Sequence, residues 1–128
     1  MRYSVDLETV LCELMEDDGR SASAHMVPAT LGNTLPHVHI VRTGGLTSDL
    51  VIEINSVDFD VYAGDAADAM AAACELTEWV RDLPGRSSAT IYSAEITTLP
   101  YGNPDPRHPT LGRATLKAQI FTRIKEGL

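Results

Sequence analysis

The segment from Val57 to Leu83 changes from a strand pattern to a helix pattern. Its first part has apolar residues at every second position, which is typical of a strand with one buried face. These residues are Val57, Phe59, Val61 and Ala63. After Gly64, Asp65 can cap a helix whose apolar positions recur at helical spacing. Those positions are Ala69, Met70, Ala73, Leu76, Val80 and Leu83. A strand that leads into an amphipathic helix is a packing unit, so function must be sought in the surfaces of the whole chain.

The first half of the sequence adds a helix, a loop and two strand regions. A helix is predicted from about Asp6 to Asp17, because its apolar residues follow helical spacing. The stretch from Arg20 to Pro36 has no period and is predicted to be a long loop. His37 to Arg42 alternates as a short strand, and a second strand region runs from about Leu50 to Ala63.

This second strand region contains a change of phase. Ile52 and Ile54 stand at even positions, whereas the apolar residues from Val57 onwards stand at odd positions. If all of them face one core, an extra residue is needed near Asn55 and Ser56. The sequence therefore predicts either a β-bulge there or a break between two shorter strands.

Two further strands close the chain. Tyr92, Ala94 and Ile96 are predicted to share one face of the first, and the second alternates from Ala114 to Ile124. They form an antiparallel hairpin whose long tip runs from Pro100 to Gly112. The order α-β-β-α-β-β predicts an α+β fold, with a four-stranded, mainly antiparallel sheet and two helices packed on one face. We expect a single domain over residues 1–128, with the other sheet face uncovered.

Charge and apolar content argue against several classes of protein. Eighteen acidic and ten basic residues give a net charge of −8, which disfavours binding to nucleic acid through a basic surface. The sequence has no apolar run long enough for a membrane span and no signal-peptide pattern, so we expect the protein to stay in the cytoplasm where it is made. Cys12 and Cys74 fall inside predicted helices, where we expect neither a disulfide nor a metal site.

Paired histidines and aspartates are the strongest candidates for chemistry. His37 and His39 point to one face of their strand, and Asp58 and Asp60 share a face of theirs, which is a geometry that metal sites use. The sequence offers no evident third ligand. The simpler interpretation is that these side chains lie on the solvated or subunit-facing side of the sheet.

No pattern typical of catalysis accompanies these residues. His25 and His108 lie in predicted loops, and no serine or cysteine nucleophile can be paired with either from the sequence. The sequence contains no phosphate-binding loop and no dinucleotide fingerprint. The residues therefore give almost no support to an enzymatic function. Trp79 falls beside the stripe of the second helix and is predicted to be a partly exposed contact between subunits.

Three segments, in their order and spacing, carry a resemblance to a known family. They are Leu35 to Gly45 (LPHVHIVRTGG), Val57 to Ala63 (VDFDVYA) before the alanine-rich helix, and Ile96 to Gly112 (ITTLPYGNPDPRHPTLG) before the last strand. Together they resemble the tail terminator proteins of long-tailed bacteriophages, most closely those of actinobacterial hosts. The resemblance implies a virion protein that forms a ring, usually a homohexamer, at the head-proximal end of the tail. It also implies that the protein is not an enzyme and has no cofactor. Such a ring binds the tail tube protein, stops tube polymerisation and offers a docking surface to a head-completion or connector protein.

Two groups of residues suit a ring of this kind. The uncovered sheet face is predicted to form the subunit interface through His37, His39, Asp58, Asp60, Lys117 and Arg123. The two long loops are predicted to contact the tube or the connector through His25, Asn33, Tyr101, Asp105, Arg107 and His108. Six copies would carry six times the charge of −8, so we expect DNA to pass through the lumen without specific binding.

Two alternatives remain open from the sequence. A head-to-tail stopper or adaptor ring would use the same sort of surfaces. A small metal- or ligand-binding domain built on His37 and His39 belongs to a different class of function.

Overall fold

A computed structural model describes residues 2–47 and 51–126 of the chain. Its strands are β1 (Arg2–Tyr3), β2 (Ser21–Ala24), β3 (His37–Thr47), β4 (Ile52–Ala63), β5 (Ile91–Gly102), β6 (Gly112–Arg123) and β7 (Lys125–Glu126). Its helices are α1 (Leu7–Asp17), α2 (Ala66–Arg81) and the single-turn α3 (Leu83–Arg86), and a 3-10 turn spans Leu31–Asn33. None of the helices in these two ranges is long and apolar enough to cross a membrane.

Strands β2 to β6 form one mixed sheet, in the order β2-β3-β4-β6-β5. Strand β2 runs parallel to β3, and the other neighbouring pairs are antiparallel. Strands β1 and β7 form a separate antiparallel pair. The predicted α+β class is confirmed, but the prediction of four strands is wrong, because β2 adds a fifth strand inside the segment predicted to be a loop. Its sequence, Ser-Ala-Ser-Ala, has no large apolar residue that could have indicated a strand.

Both main helices form where the sequence provides a capping carboxylate. Asp6 accepts a hydrogen bond from the backbone N–H of Thr9 at 3.4 Å, and Asp65 accepts one from Asp68 at 2.8 Å. Gly19 follows α1 with a φ of +78°, a left-handed conformation that glycine adopts without strain. The predicted start of each helix is therefore confirmed within a residue or so.

The core lies between the two helices and one face of the sheet. Helix α1 covers β2 and β3, while α2 covers β4, β5 and β6. Alternate residues of the central strands point toward the helices, and they are Val38, Ile40, Val57, Phe59, Val61, Ala114, Leu116, Ala118 and Ile120. The helices contribute Leu7, Leu11, Met15, Ala69, Ala73, Leu76 and Val80. Both helices therefore pack on the same face, as the spacing of apolar residues predicted.

Strand β4 is one unbroken strand, so the bulge or break predicted near Asn55 and Ser56 is wrong. It pairs with β6 in constant register from Ile52 to Ala63, and the irregularity lies instead in the neighbouring β3, between Arg42 and Gly44. The predicted start of this strand, Leu50, lies outside the described residues.

Asn55 occupies the core position that the pattern had left without an apolar residue. Its side chain is 1% exposed, and its amide nitrogen donates to the Ile120 carbonyl at 2.9 Å and to the Thr122 hydroxyl at 3.0 Å. These bonds satisfy a buried polar group that would otherwise be costly. With Asn55 facing the helices, Ile52 and Ile54 must face the other side of the sheet.

Strand β5 also departs from its predicted phase. Ile91 is buried in the core at 1% exposure, whereas Tyr92 is 56% exposed, because the register with β6 shifts between Ile91 and Ser93. The prediction that Tyr92 shares the face of Ala94 and Ile96 is therefore wrong, since the shift places an extra residue at position 92.

Trp79 joins the end of α1 to α2 and is not an exposed anchor. Its side chain is 4% exposed, its indole N–H donates to the Asp18 carboxylate at 2.6 Å, and the Arg86 guanidinium lies 5.4 Å from the ring centroid. Arg86 also forms an ion pair with Asp18. The predicted subunit contact at Trp79 is wrong, because Asp18 and Arg86 already surround the ring.

We predict that Gly112→Ala destabilises the protein by about 2 kcal/mol, within the usual range for overpacking. A Cβ at position 112 would lie 2.1 Å from the Asp65 carbonyl oxygen, where β6 passes the start of α2. Urea unfolding measures the change. Gly64→Ala is the control, because its added Cβ meets nothing within 4 Å. Equal stability of the two variants would contradict this close approach.

Candidate interaction surface

The sheet face opposite the helices, called the uncovered face below, carries all six residues predicted at the subunit interface. No helix of the described ranges packs on it. The register aligns the pairs His39 with Asp60 and Asp58 with Lys117, and it places His37 beside Tyr62 and Arg123 beside Ile52. The six residues therefore share a face, although they do not form one cluster along it.

The middle of the uncovered face is charged. The Lys117 ammonium lies 3.7 Å from an Asp58 carboxylate oxygen, and both side chains are partly exposed. Asp60 accepts a hydrogen bond from the Thr115 hydroxyl at 2.7 Å. A partly exposed ion pair such as this one adds little to stability, so a charged partner can compete for either group at little cost to the fold.

His37 is buried and holds the edge strand β2 in place. Its side chain is 2% exposed, Nδ1 lies 2.7 Å from the Ser21 hydroxyl and Nε2 lies 2.8 Å from the Ser23 hydroxyl. Ser23 also lies 3.1 Å from Nδ1 of His39. Burial, followed by the neighbouring His39, lowers the pKa of His37. Both ring nitrogens of His37 are thus hydrogen-bonded to serine hydroxyls of β2. These bonds explain why the Ser-Ala-Ser-Ala segment forms a strand although it has no large apolar residue.

The histidine pair has no third potential metal ligand nearby among the described residues. Among the residues of the two described ranges, no group of three His, Cys, Asp or Glu side chains is placed to hold a metal ion. Burial lowers the pKa of His39 more than the nearby Asp60 raises it. The ring is thus shifted toward its neutral form, and its Nδ1 is occupied by Ser23.

The loop of residues 103–111 folds over one end of the uncovered face. Tyr62 is 1% exposed and donates its hydroxyl hydrogen to Asp105 at 2.7 Å, while Arg113 lies 3.6 Å from the same carboxylate. His108 packs edge-on against the Tyr62 ring at 5.7 Å, and the Asn103 amide donates to Thr115 at 3.1 Å. This end of the sheet is therefore closed by the chain's own loop.

The residues predicted to contact the tube or connector fall into two groups. Asp105 is 4% exposed and its carboxylate is used internally, and Tyr101 lies in β5 and not in the loop. His108 is partly buried against Tyr62. The exposed ones are His25, Asn33 and Arg107 in the loops and Tyr101, at 37% exposure, in β5. This second group presents side-chain surface to another protein, although the Arg107 side chain also contacts Asp105.

Hydrogen bonds lower the pKa of Asp105 in spite of its burial. Burial alone would raise its pKa, but hydrogen bonds from the Tyr62 hydroxyl and from the backbone and side chain of Arg107 outweigh burial. The net effect lowers the pKa from 3.8 to about 2. The carboxylate is therefore ionised whenever the protein is near neutral pH, and it anchors the loop as a charged group.

The other end of the uncovered face is apolar. Leu46, Ile54 and Phe121 lie side by side on β3, β4 and β6. Ile52 and Tyr92 flank them, and these five residues are called the apolar strip below. Leu46 is 61% exposed and Tyr92 is 56% exposed. Ile52, Ile54 and Phe121 are partly exposed. A contiguous apolar patch that reaches the surface of a small protein marks a site of interaction.

Sequence reasoning missed the apolar strip because it assigned Ile52 and Ile54 to the core. The useful signal was the change of phase itself. Two apolar residues on the opposite parity from the core of the same strand can mean a bulge, or they can mean a second apolar face. The constant register between β4 and β6 shows that Ile52 and Ile54 belong to a second apolar face.

Both cysteines are free thiols on separate helices. Burial, followed by the nearby carboxylates, first among them Glu16, raises the pKa of Cys12 to about 11. A thiol with so high a pKa stays protonated and unreactive near neutral pH. Cys12 therefore acts as a small apolar residue at the edge of the core.

No protein-family model matches this chain, and no curated protein sequence matches it significantly.

We predict that Asp105→Asn lowers the free energy of unfolding at pH 7 by about 2 kcal/mol, the equivalent of its pKa shift. Because the folded pKa lies below the unfolded value of 3.8, this stabilisation is present above about pH 4 and is lost as the pH falls toward 2. Urea unfolding of both proteins between pH 7 and pH 2.5 should show the difference shrinking. Asp17→Asn, at an exposed position, is the control. A difference that stays constant over this range would contradict the loop anchor.

Proposed function

We propose that this chain is a structural virion protein, a tail terminator subunit that forms a ring on the tail tube of a long-tailed bacteriophage. In this role it stops tube polymerisation and presents a docking surface to the head-completion or connector protein. It acts at the head-proximal end of the tail after synthesis in the host cytoplasm. The proposal rests on the resemblance of the three sequence segments and on the surfaces of the fold.

Among the structural features, the apolar strip is the single observation that carries the proposal. It lies next to a row that contains Ser56, Gln119 and Glu95, and then to the charged pair of Asp58 and Lys117. An apolar centre bordered by polar and charged side chains is the usual composition of a protein–protein interface. A surface of this kind supports a role in assembly.

The edges of the sheet suit a ring. Strands β2 and β5 are the two outer strands of the described sheet, and they differ in length, four residues against twelve. Two dissimilar edges on one subunit permit contacts in which different surfaces of neighbouring copies meet. Contacts of that heterologous kind close into rings when the rotation between copies is a simple fraction of a turn.

The exposed residues of the loops suit contacts with the tube or connector. His25, Asn33 and Arg107 project from segments outside the sheet. The chain's net charge of −8 also supports a lumen that does not hold DNA, since acidic side chains repel phosphate over distances within the Debye length of about 8 to 10 Å.

For the metal- or ligand-binding alternative, the described residues provide no group of three potential ligands. Both ring nitrogens of His37 bond to serine hydroxyls, and this use of the pair is structural. A head-to-tail stopper or adaptor ring remains the alternative within the structural class, since it would need the same kind of exposed strip.

We predict that the protein caps tail tubes. Tube protein from the same phage is polymerised with and without the chain, and electron microscopy measures tube length and the density at each end. A terminator gives shorter tubes of narrower length distribution, with a ring at one end. Leu46→Lys should require at least ten times more protein for the same effect, because it places a charge in the apolar strip.

Leu99→Lys is the matched control, because this leucine is 64% exposed and lies outside the strip. Tubes of unchanged, heterogeneous length would overturn the terminator role. Binding to isolated heads, with no effect on tubes, would favour the stopper or adaptor.

A further inference from the structure

We infer that the free chain pairs with a second copy of itself through the apolar strip, about a two-fold axis that runs across the strands. The two uncovered faces then pack against each other in a symmetric dimer. This inference goes beyond the proposed function, since it concerns the protein before it meets any tail tube.

The register of the sheet fixes what such an axis brings together. The axis passes over the row of Leu46, Ile54 and Phe121. Each of these side chains then faces its own counterpart in the second copy, at the spacing of about 10 Å that separates packed sheets. The exposed Leu46 and the partly exposed Ile54 and Phe121 are thus removed from water together.

The charges on either side of this row are complementary under the same axis. Arg123 lies one row to one side, on β6, and Glu95 lies one row to the other side, on β5 beside Gln119. The rotation places Arg123 of each copy over the Gln119 and Glu95 region of the other. The dimer therefore gains two opposite-charge contacts, which fix its register.

The Tyr92 ring helps to hold the Arg123 side chain in position. The guanidinium lies 5.2 Å from the centroid of the Tyr92 ring, and Arg123 Nε donates to the Ser88 carbonyl at 3.3 Å. These contacts hold the cationic group at the border of the strip. A positioned arginine loses less conformational freedom when it meets a carboxylate than a mobile one does.

The 103–111 loop favours this axis over one that runs along the strands. The loop covers the sheet at Tyr62, eight residues from Ile54 and therefore about 27 Å away along β4. A two-fold axis across the strands puts the loops of the two copies at opposite ends of the dimer. An axis parallel to the strands would bring both loops to the same end, where they would hold the sheets apart.

In this dimer the apolar strip of the free protein is protected from solvent. The strip that we propose for assembly is covered by a second copy until the chain reaches its tube. Exposed strips of this kind otherwise promote aggregation.

Light scattering after size-exclusion chromatography, without any tube protein, tests the inference. At 50 to 100 μM we expect twice the 13.8 kDa mass of one chain for the wild type and for Leu99→Lys. Leu46→Lys should weaken the dimer at least tenfold, because the two new ammonium groups face each other. Arg123→Glu should weaken it as well, and Arg123→Glu combined with Glu95→Arg should restore it. Circular dichroism establishes that each variant is folded.

Three results would overturn the inference. They are a monomeric wild type at 100 μM, a dimer that Leu46→Lys leaves intact, and a double charge reversal that fails to recover the loss caused by Arg123→Glu. A hexamer in the absence of tubes would also overturn it, although that result would support the proposed ring. Dimer formation without tube capping would leave this inference standing and remove the proposed function.

Discussion

The unbroken pairing of β4 with β6 is the constraint on which the rest of the structure depends. Twelve consecutive residue pairs join these two central strands. Side chains alternate strictly along such a ladder, so each residue of β4 is assigned to one face by its position alone. The helix-facing set includes Val57, Phe59 and Val61, and the same alternation puts Asn55 in the core. The cost of burying the amide is met by its two hydrogen bonds to β6.

This assignment has a consequence on the opposite side of the sheet. Ile52 and Ile54 cannot turn inward without breaking the ladder, so they join Leu46 and Phe121 on the uncovered face. The irregularity that the pattern required lies in β3, the strand next to β4, between Arg42 and Gly44. A feature that looks like imperfect core patterning is thus the origin of the surface that we propose for assembly.

The polar residues that first suggested chemistry have become structural supports. His37 ties β2 to the sheet through two serine hydroxyls, and Asp105 ties the 103–111 loop to Tyr62. Both groups are almost fully buried, and each is satisfied by hydrogen bonds. Both residues stabilise the same end of the uncovered face, where His37 is aligned with Tyr62 and Asp105 accepts the hydrogen bond of the Tyr62 hydroxyl. They leave the apolar half as the surface without a covering layer among the described residues.

The sequence by itself determined the α+β class, the starts of both main helices and the packing of those helices on one face. These features follow from local periodicity and from capping residues such as Asp6 and Asp65, which act within a few residues of chain. Only the tertiary structure decided that β2 is a strand, that Trp79 is buried and that the isoleucines of β4 face outward. The reason is physical, since each depends on a partner distant in the sequence: His37 for β2, Asp18 for Trp79, and the register of β6 for β4.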